Sequence, residues 1–180
     1  MRCLIFLLFI CGQICWGDLR VVFFVQRDSS GEIISWVPNE PFYHLAIETE
    51  KGWLHSAPYY GVVEVKEVLP RGEVGAILVN KTRGPLTTEE VDPWRGRHYD
   101  PYFNWTTEAV YCSEMIAKIM NLSPYPMDFS APFWDGRPER KFHGRLGISP
   151  TGVFQKLRKR GFHPQSIHLY GCQSLFWRPL

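Results

Sequence analysis

Hydrophobic and polar positions alternate through the first part of the chain in the manner of β-strands. Valine, leucine, isoleucine and aromatic residues form short runs that polar or glycine-containing turns separate. Such runs predict strands. The predicted strands are 19–25, 32–37, 42–48, 53–57, 61–68 and 75–79, with a last short strand at 167–170. Most of the predicted sheet therefore precedes residue 80.

Helical spacing appears in the second part of the chain. Apolar residues at positions 115, 116, 119 and 120 recur at intervals of three and four, which is the period of an amphipathic helix. This pattern predicts a helix that begins at Cys112 and ends near Asn121. The cysteine would then lie in the first turn of that helix.

Two further helices are predicted, one of them from a capping signal. Ser149 and Pro150 are typical of an N-cap and a first helical position, and Gly161 would end that helix. A short helix is predicted at 87–91, and the proline- and aromatic-rich segment 123–145 reads as an ordered loop. Strands first and helices later indicate an α+β domain.

Two histidines lie on the arms of a predicted β-hairpin. If Thr49 and Glu50 form the centre of the turn, His44 is directly opposite His55. Opposed residues share a face, with Cβ atoms roughly 4.5–5.5 Å apart. The two imidazoles can therefore touch, and Glu48 lies on the same face because side chains alternate along a strand. A turn one residue longer would break this pairing.

Composition and the N-terminus limit the class of protein. The chain has 180 residues, a formal net charge of +2 and 45% hydrophobic residues, which fits one globular domain and argues against a disordered chain or one that coats nucleic acid. Residues 1–17 combine a positive start, a short apolar run and a small terminal residue, as in a signal peptide. We therefore predict a secreted or periplasmic, monomeric domain at 18–180.

Removal of this segment leaves two of the five cysteines, Cys112 and Cys172. One interpretation is a disulfide between them in an oxidising compartment. The other is a free Cys112 whose thiolate is favoured by the helix N-terminus and by a nearby imidazolium. With His44 and His55, Cys112 would supply a nucleophile, a base and an orienting group, the minimum set for thiol-based acyl transfer.

An ordered set of motifs resembles the circularly permuted papain-like hydrolases related to the NlpC peptidases, specifically the YiiX/YaeF-like branch. The motifs span most of the predicted domain in the order found in that family. They are His44-Leu-Ala-Ile47, Ala57-Pro-Tyr-Tyr-Gly-Val62, Gly96-Arg-His-Tyr-Asp100, Phe103, Tyr111-Cys-Ser-Glu114 and Ile148-Ser-Pro150. The resemblance implies a permuted papain-like fold, with an antiparallel sheet packed on the helix that carries the nucleophilic cysteine.

The resemblance also implies roles for individual residues. Cys112 would be the nucleophile, His44 the general base, and His55 the third residue, with Glu48 in reserve. Tyr99 would lie near the oxyanion side. Many relatives in the YiiX branch carry Glu at the third position, whereas the lecithin:retinol acyltransferase-like branch carries His. The Asn-Cys-Glu-His signature of that second branch is absent here.

The expected function is a secreted cysteine hydrolase that cleaves an amide or ester bond through a Cys-His-His acyl-enzyme mechanism. Its substrate would be a peptide, amide or lipid-like molecule, such as cell-wall peptide or a lipid-linked amide, and no cofactor or nucleic acid is expected. The sequence leaves open whether the protein makes a peripheral contact with the cell envelope or a membrane. Three alternatives also stay open: a non-catalytic binding protein that keeps the cleft, a lipid acyltransferase, and a hydrolase with zinc on His44, His55 and Cys112.

Overall fold

A computed structural model describes residues 17–68, 72–106 and 108–167. The predicted signal peptide up to residue 16 and Cys172 lie outside these ranges. The strands are β1 (Leu19–Val25), β2 (His44–Thr49), β3 (Gly52–Ala57), β4 (Gly61–Val65), β5 (Glu73–Asn80), β6 (Tyr125–Pro126), β7 (Leu146–Gly147) and β8 (His163–Ile167). The helices are α1 (Thr88–Val91), α2 (Cys112–Ile119) and α3 (Pro150–Lys159), and short 3₁₀ turns cover Pro132–Trp134 and Pro138–Phe142.

Six strands form one antiparallel sheet in the order β4-β3-β2-β1-β5-β8, and β6 pairs with β7 separately. Helix α2 packs on β2 and β3, while α3 packs on α2 and β5. The prediction of an α+β domain whose antiparallel sheet packs on the Cys112 helix is therefore confirmed. Within the described ranges, no helix is both long and apolar enough to cross a membrane.

The sheet has two unequal apolar faces because side chains alternate along its strands. One face carries the main core, in which Phe23, Leu45 and Leu54 are fully buried beside residues of α2 and α3. The opposite face carries a smaller cluster around Phe24 and Ala46. Burial of both faces explains why β1 is almost continuously apolar rather than alternating.

The register of the β2–β3 hairpin differs from the predicted one by two residues. Thr49 pairs with Gly52 and Ile47 pairs with Leu54, so Glu50 and Lys51 form the turn. A shift of two residues preserves the face of every side chain. His44 and His55 are therefore still on one face, as diagonal rather than direct neighbours.

One predicted strand is wrong. Residues 32–37 form only isolated bridges, between Arg27 and Ile33 and between Val37 and Glu40. The Asp28 carboxylate accepts the backbone N–H of Ser30 at 2.8 Å and of Glu32 at 3.1 Å, so local turn contacts replace a sheet ladder.

The remaining boundaries move by a few residues. The strand predicted at 167–170 begins earlier, as β8, and residues 168–170 lie outside the described ranges. The predicted strand 61–68 ends at Val65. The capping prediction at Ser149 is confirmed, since Ser149 accepts the Gly152 N–H at 2.9 Å. The short helix predicted at 87–91 is present as α1, and Thr87 forms a capping box with Glu90.

The tight β2–β3 turn requires glycine at position 52, and this requirement can be tested. Its φ is +148°, and a Cβ at this position would lie 2.2 Å from the Val65 carbonyl oxygen on β4. Gly96 also has a positive φ, of +73°, but a Cβ there would meet nothing within 4 Å. We expect Gly96→Ala to cost about 1–2 kcal/mol from backbone strain alone, and Gly52→Ala to cost clearly more. Urea unfolding of both variants measures this difference, and equal losses would contradict the close approach of Gly52 to β4.

Candidate active site

Cys112 is the first residue of α2 and lies where the β2–β3 ladder ends. The last residue pair of that ladder is Ile47–Leu54, although β2 continues back to His44 beside β1 and β3 continues to Ala57 beside β4. The backbone N–H groups of Leu45 and Ser113 donate to the Cys112 sulfur. The thiol therefore lies against the part of β2 that is no longer paired with β3.

Three hydrogen bonds fix the chain on either side of the thiol. Ser56 on β3 donates its hydroxyl to the Val110 carbonyl at 2.6 Å. Ser113 donates to the Ile148 carbonyl at 2.7 Å, and the Tyr111 hydroxyl accepts the Ile148 N–H at 3.0 Å. Tyr111 and Ser113 are both buried. The residues flanking Cys112 in the Tyr-Cys-Ser-Glu motif therefore hold the nucleophile in place.

The two predicted histidines contact each other. His44 Nε2 lies 3.0 Å from His55 Nδ1, and the rings meet edge to face with centroids 5.2 Å apart. His44 is 8% exposed and also packs against Phe24. This contact uses Nε2 of His44 and leaves Nδ1 as the nitrogen for a second partner. The next residue on β2, Leu45, donates its N–H to the Cys112 sulfur. His44 is therefore adjacent in the chain to the residue that contacts the thiol.

Burial sets the ionisation of these groups. It raises the pKa of Cys112 to about 11, even though the backbone N–H groups of Ser113 and Leu45 lower it. Burial, followed by the neighbouring His55, lowers the pKa of His44 to about 3. The expectation of a lowered thiol pKa is therefore wrong, because desolvation outweighs the backbone donors at the start of α2. The neutral thiol and the neutral form of His44 are favoured.

Tyrosines surround the thiol. Burial, followed by the charge of Cys112, raises the pKa of Tyr99 above its ordinary value, and the same two causes raise the pKa of Tyr43 to about 12. Both phenols therefore lie within electrostatic range of the sulfur. The role of Tyr99 at the oxyanion side stays a prediction.

Glu48 does not take the third position. Its carboxylate accepts the Arg20 Nε–H at 2.8 Å and forms a second, shorter contact with the same guanidinium. It lies four residues along β2 from His44, whose Nε2 already faces His55. The reserve assignment is therefore corrected: Glu48 is engaged with Arg20 on β1, and the side chain that contacts His44 is His55.

Sequence reasoning missed a buried ion pair beside the nucleophile. Glu114 is completely buried, and Lys118 Nζ lies 2.8 Å from it at an angle that makes no regular hydrogen bond. The second oxygen of Glu114 accepts the Tyr111 N–H at 3.4 Å. Burial raises the pKa of Glu114 to about 7, against the opposing effect of Lys118. The sequence did contain a signal for this ion pair, because Glu114 and Lys118 are four residues apart on the predicted helix.

A second missed carboxylate, Asp100, organises the loop that follows Tyr99. It is 3% exposed and accepts the N–H groups of Tyr102 at 2.8 Å and Asn104 at 2.5 Å. Two backbone donors on one side chain fix the loop in a defined turn. Asp followed by such a turn was visible in the sequence, but nothing there showed that the carboxylate would be buried.

A metal does not fit the three predicted ligands as they lie. Among the residues that the structure describes, no three His, Cys, Asp or Glu side chains are arranged to hold a metal ion. His44 and His55 turn a nitrogen toward each other rather than toward a common centre. The zinc alternative is therefore not supported by this arrangement.

Comparisons with known proteins give one relative and one solved structure. No family model matches the chain. The sequence is 27% identical over 116 residues to the uncharacterized protein YiiX of Escherichia coli strain K12, covering 57% of this chain and 55% of the relative. The chain thus matches about half the length of that protein. A solved structure of the metalloprotein YiiX from Escherichia coli O157:H7, DUF1105, matches with a TM-score of 0.58 at 18% identity, covering 86% of this chain and 98% of the other. The chain is similar to YiiX and shares its α+β fold.

The raised pKa of Cys112 predicts how the thiol reacts. Because the neutral form dominates well below a pKa of about 11, alkylation by iodoacetamide should be slow at pH 7 and rise about tenfold per pH unit up to pH 10. Mass spectrometry of the peptide that contains Cys112 separates it from the other cysteines. A labelling rate that is already at its plateau at pH 7 would instead show a preformed thiolate.

Proposed function

We propose that this protein is a cysteine hydrolase that forms an acyl-enzyme on Cys112, with His44 as the general base and His55 as the orienting residue. The observation that carries the proposal is the His44–His55 contact of 3.0 Å, together with the N–H of Leu45, the next residue on β2, which donates to the buried Cys112 thiol. A nucleophile, a base and a third group that orients the base form the set required for such chemistry. A permuted papain-like ancestry belongs to this proposal.

Proton transfer in the proposed mechanism follows from which nitrogen each imidazole uses. If His44 donates its Nε2–H to His55 Nδ1, its Nδ1 carries a lone pair for the Cys112 thiol. The sulfur would attack the carbonyl carbon while its proton moves to His44 Nδ1. His44 would then protonate the departing amine or alcohol as the carbonyl C–N or C–O bond breaks. Water would finally attack the thioester, which releases the acid and restores the thiol.

The negative charge that develops on the substrate oxygen needs donors. The first turn of α2 offers backbone N–H groups that have no partner within the helix, and those of Cys112 and Ser113 already point toward the sulfur. Such preorganised donors stabilise an oxyanion strongly in a dry site. Tyr99 would add a phenolic donor from the loop that Asp100 fixes.

The surroundings favour a substrate with an apolar part near the scissile bond. Tyr111 belongs to an aromatic cluster that includes Phe129, Trp134 and Phe142, with Tyr99 at its edge. Apolar walls with few polar groups suit an acyl chain or an apolar side chain. An amide or ester of a lipid or of cell-wall peptide, met by a secreted or periplasmic enzyme, fits this setting.

A binding protein without turnover is the second candidate, and one observation favours it. The thiol pKa of about 11 and the His44 pKa of about 3 both oppose formation of the reactive ion pair. A site with a neutral thiol and a neutral imidazole suits a protein that binds a ligand without attacking it. The two candidates differ in whether a covalent acyl-enzyme accumulates with activated esters or amides.

Mutations distinguish the three roles. Cys112→Ala should abolish acyl-enzyme formation and keep the fold, since it removes one sulfur atom. His44→Ala should lower the rate about 10²–10⁴-fold, because the proton acceptor is lost. His55→Ala should cost less, and His55→Glu should retain substantial activity because a carboxylate can accept the His44 N–H. The measurement is single-turnover acylation, followed by intact-protein mass spectrometry, with a panel of amide and ester donors.

Glu48→Gln is the matched control, because this carboxylate contacts Arg20 and not the histidines. It should leave the acylation rate nearly unchanged. Acylation that persists in Cys112→Ala, or is indifferent to His44→Ala, would overturn the proposal. A folded wild-type protein that binds acyl donors without ever forming an adduct would establish the binding-protein alternative.

A further inference from the structure

Four large hydrophobic side chains are exposed on segments that contact one another. Tyr59 is fully exposed and its neighbour Tyr60 is 76% exposed, in the turn between β3 and β4. Tyr102 and Leu146 each expose more than half of their surface. We refer to these four side chains as the exposed hydrophobic surface. Single exposed hydrophobic residues are common, whereas a connected group of them marks a contact site.

The β3–β4 turn holds its two tyrosines in a fixed conformation. The Tyr60 N–H donates to the Ala57 carbonyl at 3.3 Å, and Tyr59 has a φ of +72°, in the left-handed region that residues with a side chain rarely adopt. A Cβ on Gly61 would lie 2.2 Å from the Arg97 carbonyl oxygen, because the loop before Tyr99 packs closely on the turn. None of the residues of this turn is charged. Two aromatic rings are therefore presented to solvent on a rigid, uncharged turn.

Backbone contacts connect this turn to the segments of Tyr102 and Leu146. The Arg97 carbonyl also accepts the N–H of Val62 on β4 at 2.8 Å, and Tyr102 is five residues further along the chain. Five residues span at most about 18 Å. Arg145 donates to the Tyr102 carbonyl at 2.7 Å, and Leu146 follows Arg145 directly. The four exposed side chains therefore lie on neighbouring segments.

Two basic side chains accompany the exposed hydrophobic surface. The Tyr102 ring lies 6.3 Å from the Phe142 ring, measured between centroids. The guanidinium carbon of Arg145 is 4.3 Å from the centre of the same Phe142 ring, and Lys141 Nζ is 5.3 Å from it. Among the residues that the structure describes, neither cation forms an ion pair with a carboxylate. Positive charge without a carboxylate partner therefore lies beside Tyr102.

The exposed hydrophobic surface adjoins the candidate active site. His55 is on β3, two residues before the turn that carries the two adjacent tyrosines. Tyr99 is three residues before Tyr102, and the charge of Cys112 contributes to raising the pKa of Tyr99. A large partner that contacts both tyrosine-bearing segments would therefore approach the candidate site.

We propose that the exposed hydrophobic surface docks on an anionic lipid bilayer, with its hydrophobic side chains in the interfacial region and Lys141 and Arg145 on lipid phosphates. Tyrosine suits this region because its ring is apolar and its hydroxyl stays hydrated. The uncharged turn enters without desolvating an ion, and basic residues are attracted to an anionic leaflet. This proposal does not rest on catalysis at Cys112.

A bilayer fits this arrangement better than a protein partner does. The core of a protein interface is a contiguous and closely packed patch, whereas the exposed side chains here belong to three separate segments. A lipid interface accommodates side chains that stand apart, and its affinity combines buried apolar area with attraction between basic residues and anionic headgroups. Both features of the exposed hydrophobic surface are then used together.

The test is cosedimentation of the full chain with two kinds of vesicle. One is made of phosphatidylcholine alone, and the other of an equimolar mixture of phosphatidylcholine and phosphatidylglycerol. We expect the wild type to bind the anionic vesicles at least about fivefold more tightly, because two basic residues face them, and high sodium chloride should reduce this difference. The assay measures no turnover, so a failed hydrolase proposal leaves it intact.

Variants separate the hydrophobic and the electrostatic contributions. Tyr59→Asn combined with Tyr60→Ser should weaken binding to both kinds of vesicle, and Asn tolerates the left-handed backbone at position 59. Lys141→Glu should weaken binding to the anionic vesicles about fivefold or more and leave binding to phosphatidylcholine unchanged. Every variant keeps the same N-terminal segment, so that segment contributes equally to all of them.

Two matched controls change similar residues elsewhere. Val74→Ser removes an exposed hydrophobic side chain on β5, and Lys81→Glu reverses an exposed lysine just after β5. Both should bind like the wild type, and circular dichroism verifies that each variant is folded. Equal binding of the wild type and the double tyrosine variant, or an equal effect of Lys81→Glu and Lys141→Glu, would overturn the proposal. A folded protein that binds neither vesicle, and forms a dimer that the tyrosine substitutions abolish, would assign the surface to a second copy of the chain instead.

Discussion

The early end of the β2–β3 ladder is the constraint on which the candidate site depends. Beyond Ile47 and Leu54 the two strands no longer pair with each other, yet each stays in the sheet through its outer neighbour. The unpaired N–H of Leu45 is then free to donate to the Cys112 sulfur, and Ser56 on the other strand can bind the Val110 carbonyl. A backbone N–H that a regular hairpin would use for itself and a serine hydroxyl from the facing strand therefore hold the start of α2.

The same constraint explains the electrostatics. A thiol at an exposed helix N-terminus would have a lowered pKa, but here the helix start lies against the sheet and is covered by aromatic side chains, so burial controls the outcome. His44 is subject to the same desolvation, and His55 offers it a neutral partner rather than a carboxylate. A Glu at that position would stabilise the imidazolium. His at that position keeps the charge-separated state higher in energy, so in the proposed mechanism the proton would leave the thiol as the sulfur attacks.

Much of the fold could be predicted from the sequence because its signals are local. The β1 pattern gives the strand bounds directly, and the cap at Ser149 is set by one side chain. The segment 32–37 was assigned wrongly as a strand, because the local turn at Asp28 competes with a ladder and the aromatic contact of Trp36 with Phe133 is decided by a distant part of the chain. The candidate site residues were identified from residue types and spacing. Their side chains lie on the predicted face of the sheet because the register error was an even number of residues. Their ionisation was mispredicted, since burial is a property of the assembled fold.

The four residues of the Tyr-Cys-Ser-Glu segment act together to position Cys112. Tyr111 and Ser113 hold opposite backbone atoms of Ile148, and Glu114 returns to the Tyr111 N–H, so three of the four side chains restrain the fourth. Burying Glu114 carries a cost that Lys118 only partly offsets, as the pKa near 7 indicates. A chain that needed only a stable helix start would use an exposed Ser or Asp cap. The buried arrangement fixes the residues on both sides of Cys112, and a nucleophile or a ligand site requires such support.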